Sequence, residues 1–213
     1  MGLHDESDQQ TRGAVILCGG GSRRMGRDKA SLPFGDETLL GRVMRLTAEA
    51  VPREQIVLVA AADQQLPTLP WEANVVRDRA EDQGPLPALI NGLTALERSV
   101  SIAFVTACDA PLLEPKLIER LFESLLPAMD AIIPLEGERL HPLLAVYRRQ
   151  TAASLQASLD GGRASLQEAL RSPAFRLGEV PAEQLRAVDP QLRSLLNCNT
   201  PEEYEAALAA FGG

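Results

Sequence analysis

The chain has 213 residues and a formal net charge of −8, with 45% hydrophobic but only 4% aromatic residues. That length suits one α/β core large enough to enclose a cleft, built from Val, Ile, Leu and Ala rather than from stacked rings. The acidic balance opposes general binding to nucleic acid or anionic lipid, the scarcity of rings opposes a base-stacking surface, and no apolar run approaches the roughly 18 residues of a membrane span.

In chain order, Met1–Gln10 is polar and acidic and lacks the apolar centre of a signal peptide. Residues 1–12 read as a disordered leader, and 13–213 as a single domain. Short β-branched runs then alternate with helix-period segments, the pattern of a mostly parallel sheet covered by helices on both faces. Strands are expected at Ala14–Cys18, Ile56–Ala61, Asn74–Arg77 and Ile102–Ala107, with further strands at Ala131–Pro134, Leu143–Tyr147 and Phe175–Val180. Leu39, Leu40, Val43 and Leu46 recur at helical spacing, as do Leu117, Leu121 and Leu125 after Pro115. Helices are also expected near Thr151–Leu159 and Ala164–Leu170. The last helix has a full start signal, with Thr200 as N-cap, Pro201 at the first helical position and Glu203 completing a capping box. Its apolar face would use Tyr204, Ala207 and Leu208.

The segment Leu17-Cys18-Gly19-Gly20-Gly21-Ser22-Arg23-Arg24-Met25-Gly26-Arg27-Asp28-Lys29 follows the first strand. Consecutive glycines let backbone N–H groups turn inward around an anion, because glycine accepts positive φ and brings no Cβ. Arg12, Arg23, Arg24, Arg27 and Lys29, five of the 21 Lys and Arg residues, fall within positions 12–29. The segment is not a dinucleotide fingerprint, since Arg24 stands where the third glycine belongs, and not a P-loop, since Arg27 and Asp28 follow Gly26. A tight surface turn with solvated arginines is the structural alternative; the basic cluster favours an anion site with Arg24 and Lys29 as its charges.

Asp109 ends the buried run Ile102–Cys108, and ligands in open α/β sheets collect beyond the carboxyl ends of strands. A carboxylate there suits Mg²⁺, which takes one or two protein ligands and completes its shell with water and phosphate oxygens. A turn former ahead of Pro111 is the other reading.

The motif through Asp28-Lys29, continued by Leu32-Pro33-Phe34-Gly35, resembles the signature of the molybdenum cofactor guanylyltransferases, MobA-like members of the nucleotidyltransferase group. The resemblance runs from about Ala14 to Tyr204. It implies one three-layer domain with a mostly parallel, Rossmann-like sheet of the nucleotide-diphospho-sugar transferase type. It assigns Leu17, Cys18, Gly19 and Gly20 to nucleotide contacts and Lys29 to charge on the α-phosphate. It further implies Asp78 of Asn74-Val75-Val76-Arg77-Asp78 on the nucleoside, and a Gly84-Pro85-Leu86 turn beside the base. Ala88 departs from the glycine usual in that family. Asp78 as part of a solvated loop is the plain alternative.

His141 could meet acceptor phosphate or Asp109, or serve as a structural histidine before a strand. Asn197 and Asn199 could complete the metal or phosphate environment or form an Asx turn. Cys18, Cys108 and Cys198 adjoin these motifs; small buried cysteines are favoured over a thiolate metal site, and an odd number without a CxxC pair suits a reducing cytoplasm. The expected chemistry is direct transfer of GMP from GTP to molybdopterin, with Lys29, Arg24, Asp109 and Mg²⁺ managing charge. Transient contacts with molybdenum-inserting enzymes or molybdoenzymes are implied by the resemblance. The rivals are a cytidylyltransferase, a sugar-1-phosphate nucleotidyltransferase, and a non-catalytic nucleotide-binding regulator; the last would be expected to lack Lys29 or Asp109.

Overall fold

A computed structural model describes residues 11–19, 28–78, 84–163 and 165–212. In chain order the elements are β1 (Arg12–Leu17), β2 (Pro33–Phe34), β3 (Glu37–Thr38), α1 (Leu39–Thr47), β4 (Ile56–Ala61), β5 (Asn74–Asp78), α2 (Pro85–Ala95), β6 (Ile102–Ala107) and α3 (Pro115–Ser124). They continue as β7 (Ala131–Glu136), β8 (Arg139–Leu140), β9 (Leu144–Arg148), α4 (Thr151–Asp160), α5 (Leu166–Leu170), β10 (Leu177–Pro181), α6 (Ala182–Leu185) and α7 (Pro201–Gly212). Arg12, counted with the leader from sequence, is the first residue of β1 and pairs with Ile102.

The main sheet has eight strands in the order β10-β7-β9-β6-β1-β4-β5, with β8 paired to β7. Its strands run in one direction apart from β9 and β8. The alternation of strand side chains sorts the core into two layers. Ala14, Ile16, Leu58 and Phe104 face α1 and α3, burying Leu40, Val43, Leu117 and Leu121. Val15, Leu17, Val59 and Val105 face the opposite way, onto Leu86, Leu89 and Leu93 of α2 and Leu155 of α4. This is the three-layer α/β arrangement expected from sequence.

The Gly84-Pro85-Leu86 segment differs from expectation. It is not a free turn but the start of an 11-residue helix, with Gly84 at φ +74° as N-cap and Pro85 at the first position. Proline is tolerated there because first-turn N–H groups have no intrahelical acceptor. The helix lies so close to the sheet that a Cβ on Gly92 would sit 2.3 Å from Val15 Cγ1 and 3.0 Å from Val59 Cγ2. Gly→Ala inside a helix normally stabilises by about 1 kcal/mol, but valine methyls are stiff and overpacking costs about 1–3 kcal/mol. Gly92→Ala is therefore expected to lower the melting temperature, and a rise on thermal denaturation would show that α2 can move off the sheet at little cost.

A third, smaller cluster forms where α7 returns to the start of the fold, with Phe34, Leu39, Leu112, Cys198 and Ala207 buried together and Tyr204 and Leu208 packed on them. The Tyr204 hydroxyl donates to the Pro33 carbonyl. Phe211 meets Phe34 with ring centroids 5.1 Å apart, and the Arg42 guanidinium lies 4.2 Å from the Phe211 ring centre. These contacts hold the last helix, and the asparagines before it, against the carboxyl end of β6.

Candidate active site

The parallel strands β4, β5, β1 and β6 bring Ala61, Asp78, Gly19 and Asp109 to one edge of the sheet. Leu17 is in register with Val59 on one side and Ala107 on the other, and Ala61 with Asp78. The chain leaves β1 for β4 and β5 and then returns to β6 on the opposite side. That reversal creates a crevice at the strand ends, the place where open α/β sheets take ligands.

Beyond Leu17 the sheet bonding continues, with Cys18 N donating to Val59 O at 2.8 Å and Cys108 N to Leu17 O at 2.9 Å. The side chains of Leu17 and Cys18 are buried, so only main chain at these positions faces the crevice. Gly19 passes close to β4: a Cβ there would lie 3.0 Å from Ala61 N. Gly20 and Arg24, two of the expected site residues, lie outside the described residues.

The chain re-enters at Asp28, whose Oδ1 accepts from Ala30 N at 3.1 Å and caps a 3-10 turn over Lys29–Ser31. That turn aims Lys29 inward. Its Nζ donates to Asp109 Oδ2 at 3.1 Å and to Asn199 Oδ1 at 2.9 Å. An ammonium carries three N–H donors, so among the described residues one remains beyond these two bonds. Lys29 and Asp109 are only 5% and 9% exposed, and a pair so withdrawn from water is held by its partners rather than by solvent.

Asn199 reaches this position because the capping box of α7 holds its backbone. Glu203 Oε2 accepts from Asn199 N at 2.7 Å and from Thr200 N at 3.1 Å, while Glu203 N donates to Thr200 Oγ1 at 3.2 Å. Cys198 N donates to Asp109 O at 2.8 Å, joining the same segment to β6. Three expected site residues, distant in sequence, therefore converge. Asn197 is half-buried, two residues before Asn199.

Asp109 Oδ1 is buried and accepts no hydrogen bond among the described residues. An anionic oxygen in that state is costly unless a cation completes it, and a hard oxygen is the donor that Mg²⁺ prefers. No group of three His, Cys, Asp or Glu side chains is placed to hold a metal among the described residues. A divalent ion here would rest on Asp109 together with oxygens brought by substrate and water.

Asp78 ends β5, and Asn91 of α2 donates to its Oδ1 at 3.0 Å. It stands on the far side of β1 from Asp109. Ala88 packs its methyl partly against the core beneath α2.

His141 lies at the turn before β9, near the carboxyl end of β6, and its Nε2 is 3.3 Å from Glu136 Oε2. It makes no bond with Asp109, one of the partners considered for it. Burial, helped by the Arg139 charge, holds its pKa below the ordinary histidine value, with Glu136 acting in the opposite sense. All three cysteines are free thiols in buried positions. Burial pushes Cys18 and Cys198 up to about 12 and Cys108 well above its ordinary value. A groove of about 380 Å³ between α2 and α4, lined by Ile90, Leu93 and Arg149, contains none of these residues.

Known proteins are similar to this chain in sequence and in overall fold. The model of the MobA-like NTP transferase domain matches residues 14–175. The chain belongs to the MobA-like NTP transferase family. It is 36% identical over 208 residues to the "Probable molybdenum cofactor guanylyltransferase" of Mycobacterium avium (strain 104), covering 96% of this chain and 98% of that one. It is 32% identical over 198 residues to the "Molybdenum cofactor guanylyltransferase" of Desulfosudis oleivorans, covering 92% and 94%. The crystal structure of the molybdopterin-guanine dinucleotide biosynthesis protein A from Archaeoglobus fulgidus superposes with a TM-score of 0.76 at 26% identity, over 95% of this chain and 99% of that one. Membership of the MobA-like NTP transferase family makes this chain a nucleotidyltransferase.

Proposed function

We propose that this protein transfers GMP from GTP to molybdenum-loaded molybdopterin, releasing pyrophosphate and forming the molybdopterin guanine dinucleotide. The observation that carries the reading is the meeting of Lys29, Asp109 and Asn199 at the switch point of the sheet, in a chain whose relatives carry that name. An oxygen of the acceptor phosphate attacks the α-phosphorus of GTP, the new P–O bond forms, and the α–β bridging P–O bond breaks with its electron pair leaving on pyrophosphate. A phosphate monoester is already anionic near neutral pH, so no strong base is required.

Lys29 then neutralises charge developing on the α-phosphate from a fixed position, which is the largest contribution a preorganised site makes. Asn199 holds the Lys29 ammonium, and Asp78 accepts from hydroxyl or N–H groups of the nucleoside. Asp109 would hold Mg²⁺ through Oδ1, and the bound ion would supply charge neutralisation and alignment of the phosphates. Arg24 is assigned a second cationic contact on the phosphates by its place in the motif. The same reading takes in a cytoplasmic setting and brief encounters with molybdenum-inserting enzymes or molybdoenzymes. The three free thiols suit that compartment, and no helix among the described residues is long and apolar enough to cross a membrane.

The test is pyrophosphate release with each of the four NTPs, using molybdenum-loaded molybdopterin and a panel of sugar 1-phosphates as acceptors. Guanine presents a carbonyl acceptor beside N–H donors, and a site matched to that edge rejects bases that leave its groups unpaired by roughly 10²-fold or more. GTP with molybdopterin should therefore dominate. A preference for CTP would assign the protein to cytidylyl transfer, and turnover only with a sugar phosphate would overturn the acceptor.

A further inference from the structure

Gln64, in the loop after β4, commits its amide nitrogen to the two described ends of the glycine segment and its amide oxygen to the end of β4. Its Oε1 accepts from Ala61 N at 3.1 Å. Its Nε2 donates to Cys18 O at 3.0 Å on one side and to Asp28 Oδ1 and Oδ2 at 3.0 and 3.2 Å on the other. A primary amide has two N–H donors, one for each side. The loop itself is tied back, since the Arg77 guanidinium of β5 donates to Gln64 O at 2.5 Å as well as to Ala61 O of β4 at 3.2 Å. Asp28 is the residue that caps the turn carrying Lys29, through Ala30 N at 3.1 Å. One neutral side chain thus joins the ends of β1 and β4 to the residue that sets the direction of the catalytic lysine.

We propose that Gln64 is a positioning residue for Lys29, acting through Asp28 and touching no substrate. The inference rests on Lys29 acting on the substrate phosphates. The physical advantage is preorganisation: a long, rotamer-rich lysine is useful to a transition state only when its root is fixed, and displacement by about 1 Å can cost up to 10²-fold in rate. The chemistry at position 64 is specific. Glutamate has the same shape and can still accept from Ala61 N, but it sets a carboxylate against the Cys18 carbonyl and the Asp28 carboxylate, where donors are needed.

The test compares wild type, Gln64→Glu, Asp28→Asn and the double variant by two measurements. One is amide hydrogen exchange across Lys29–Leu32 in the ligand-free protein, and the other is steady-state pyrophosphate release. Gln64→Glu should speed exchange in the turn and lower kcat about tenfold or more, with a smaller change in KM for GTP. In the double variant the two functional groups are exchanged: the amide introduced at position 28 can donate to the carboxylate introduced at position 64, while its oxygen still accepts from Ala30 N. Both readouts should recover in part. Unchanged exchange in Gln64→Glu, or a double variant no better than the sum of the single ones, overturns the proposal. If the wild type transfers no nucleotide to any acceptor, the functional reading falls instead. The exchange data then decide whether Gln64 anchors the turn.

Discussion

Lys29→Ala is expected to lower kcat about 10²–10³-fold, the effect of removing one preorganised donor from a charge-developing transition state, with a smaller rise in KM for GTP. The variant should also melt earlier than the wild type. Lys29 Nζ is the bonded partner of Asp109 Oδ2 at 3.1 Å, with side-chain exposures of 6% and 13%, and removal of the cation leaves a buried carboxylate uncompensated, a loss on the order of 3 kcal/mol. The two effects separate in a second variant. Lys29→Ala combined with Asp109→Asn removes the stranded charge, so it should recover much of the melting temperature while remaining inactive. Steady-state kinetics and thermal denaturation of both variants check this. Near-wild-type turnover of Lys29→Ala would remove the lysine from the mechanism.

The parts of the fold that were legible in the sequence are those where a local pattern and the tertiary outcome agree. The expected strand Ile56–Ala61 coincides with β4 and Ile102–Ala107 with β6, because a strand buried on both faces must be a continuous apolar run. The start of α7 was readable because a capping box is a purely local set of bonds. A helix was expected between β5 and β6, but the bounds of α2 were not readable, because Pro85 and Pro87 fall in its first turn and apolar residues stand on nearly every side, so neither a breaker-free run nor a 3.6-residue stripe marks them. The strands β2, β3 and β8 are two residues each, too short for any period to show.

The same division runs through the site. Lys29, Asp109 and Asn199 could be singled out because each polar residue stands at the end of a glycine, strand or cap motif. Gln64, Asn91 and Glu203 could not be given their roles in this way. Gln64 sits in an Ala-Ala-Asp-Gln-Gln stretch with no periodic or motif signal, and its partner Cys18 is 46 positions away. Asn91 bonds Asp78 only because α2 packs beside β5. Glu203 was expected as a cap, and it is; that the cap also fixes the backbone of a lysine-binding asparagine follows only from the docking of α7.

On the proposed reading, in which Asp109 holds Mg²⁺ and the nucleotide is GTP, Asp109→Asn is expected to remove most of the turnover while leaving GTP binding much less affected. The amide keeps the size of the carboxylate, and its oxygen can still accept from Lys29, so the turn over Lys29–Ser31 should stay in place. What is lost is the negative charge, and with it the anionic Oδ1 that is buried without a hydrogen bond among the described residues. A single neutral oxygen is a poor ligand for a hard divalent ion that dehydrates reluctantly. The variant should therefore need far more Mg²⁺ to reach half-maximal rate, with a kcat at saturating metal lower by about 10²-fold or more. Mn²⁺ binding followed by electron paramagnetic resonance gives a readout independent of turnover and should weaken in parallel. Lys29→Ala supplies the opposite arm: with the ammonium no longer bonded to Asp109, the carboxylate is unshared, and Mn²⁺ should bind more tightly than to the wild type even though turnover is lost. Equal metal dependence in Asp109→Asn and wild type would mean that the ion is held elsewhere, and would leave Asp109 with the one role its geometry already shows, as the buried counter-charge that holds Lys29.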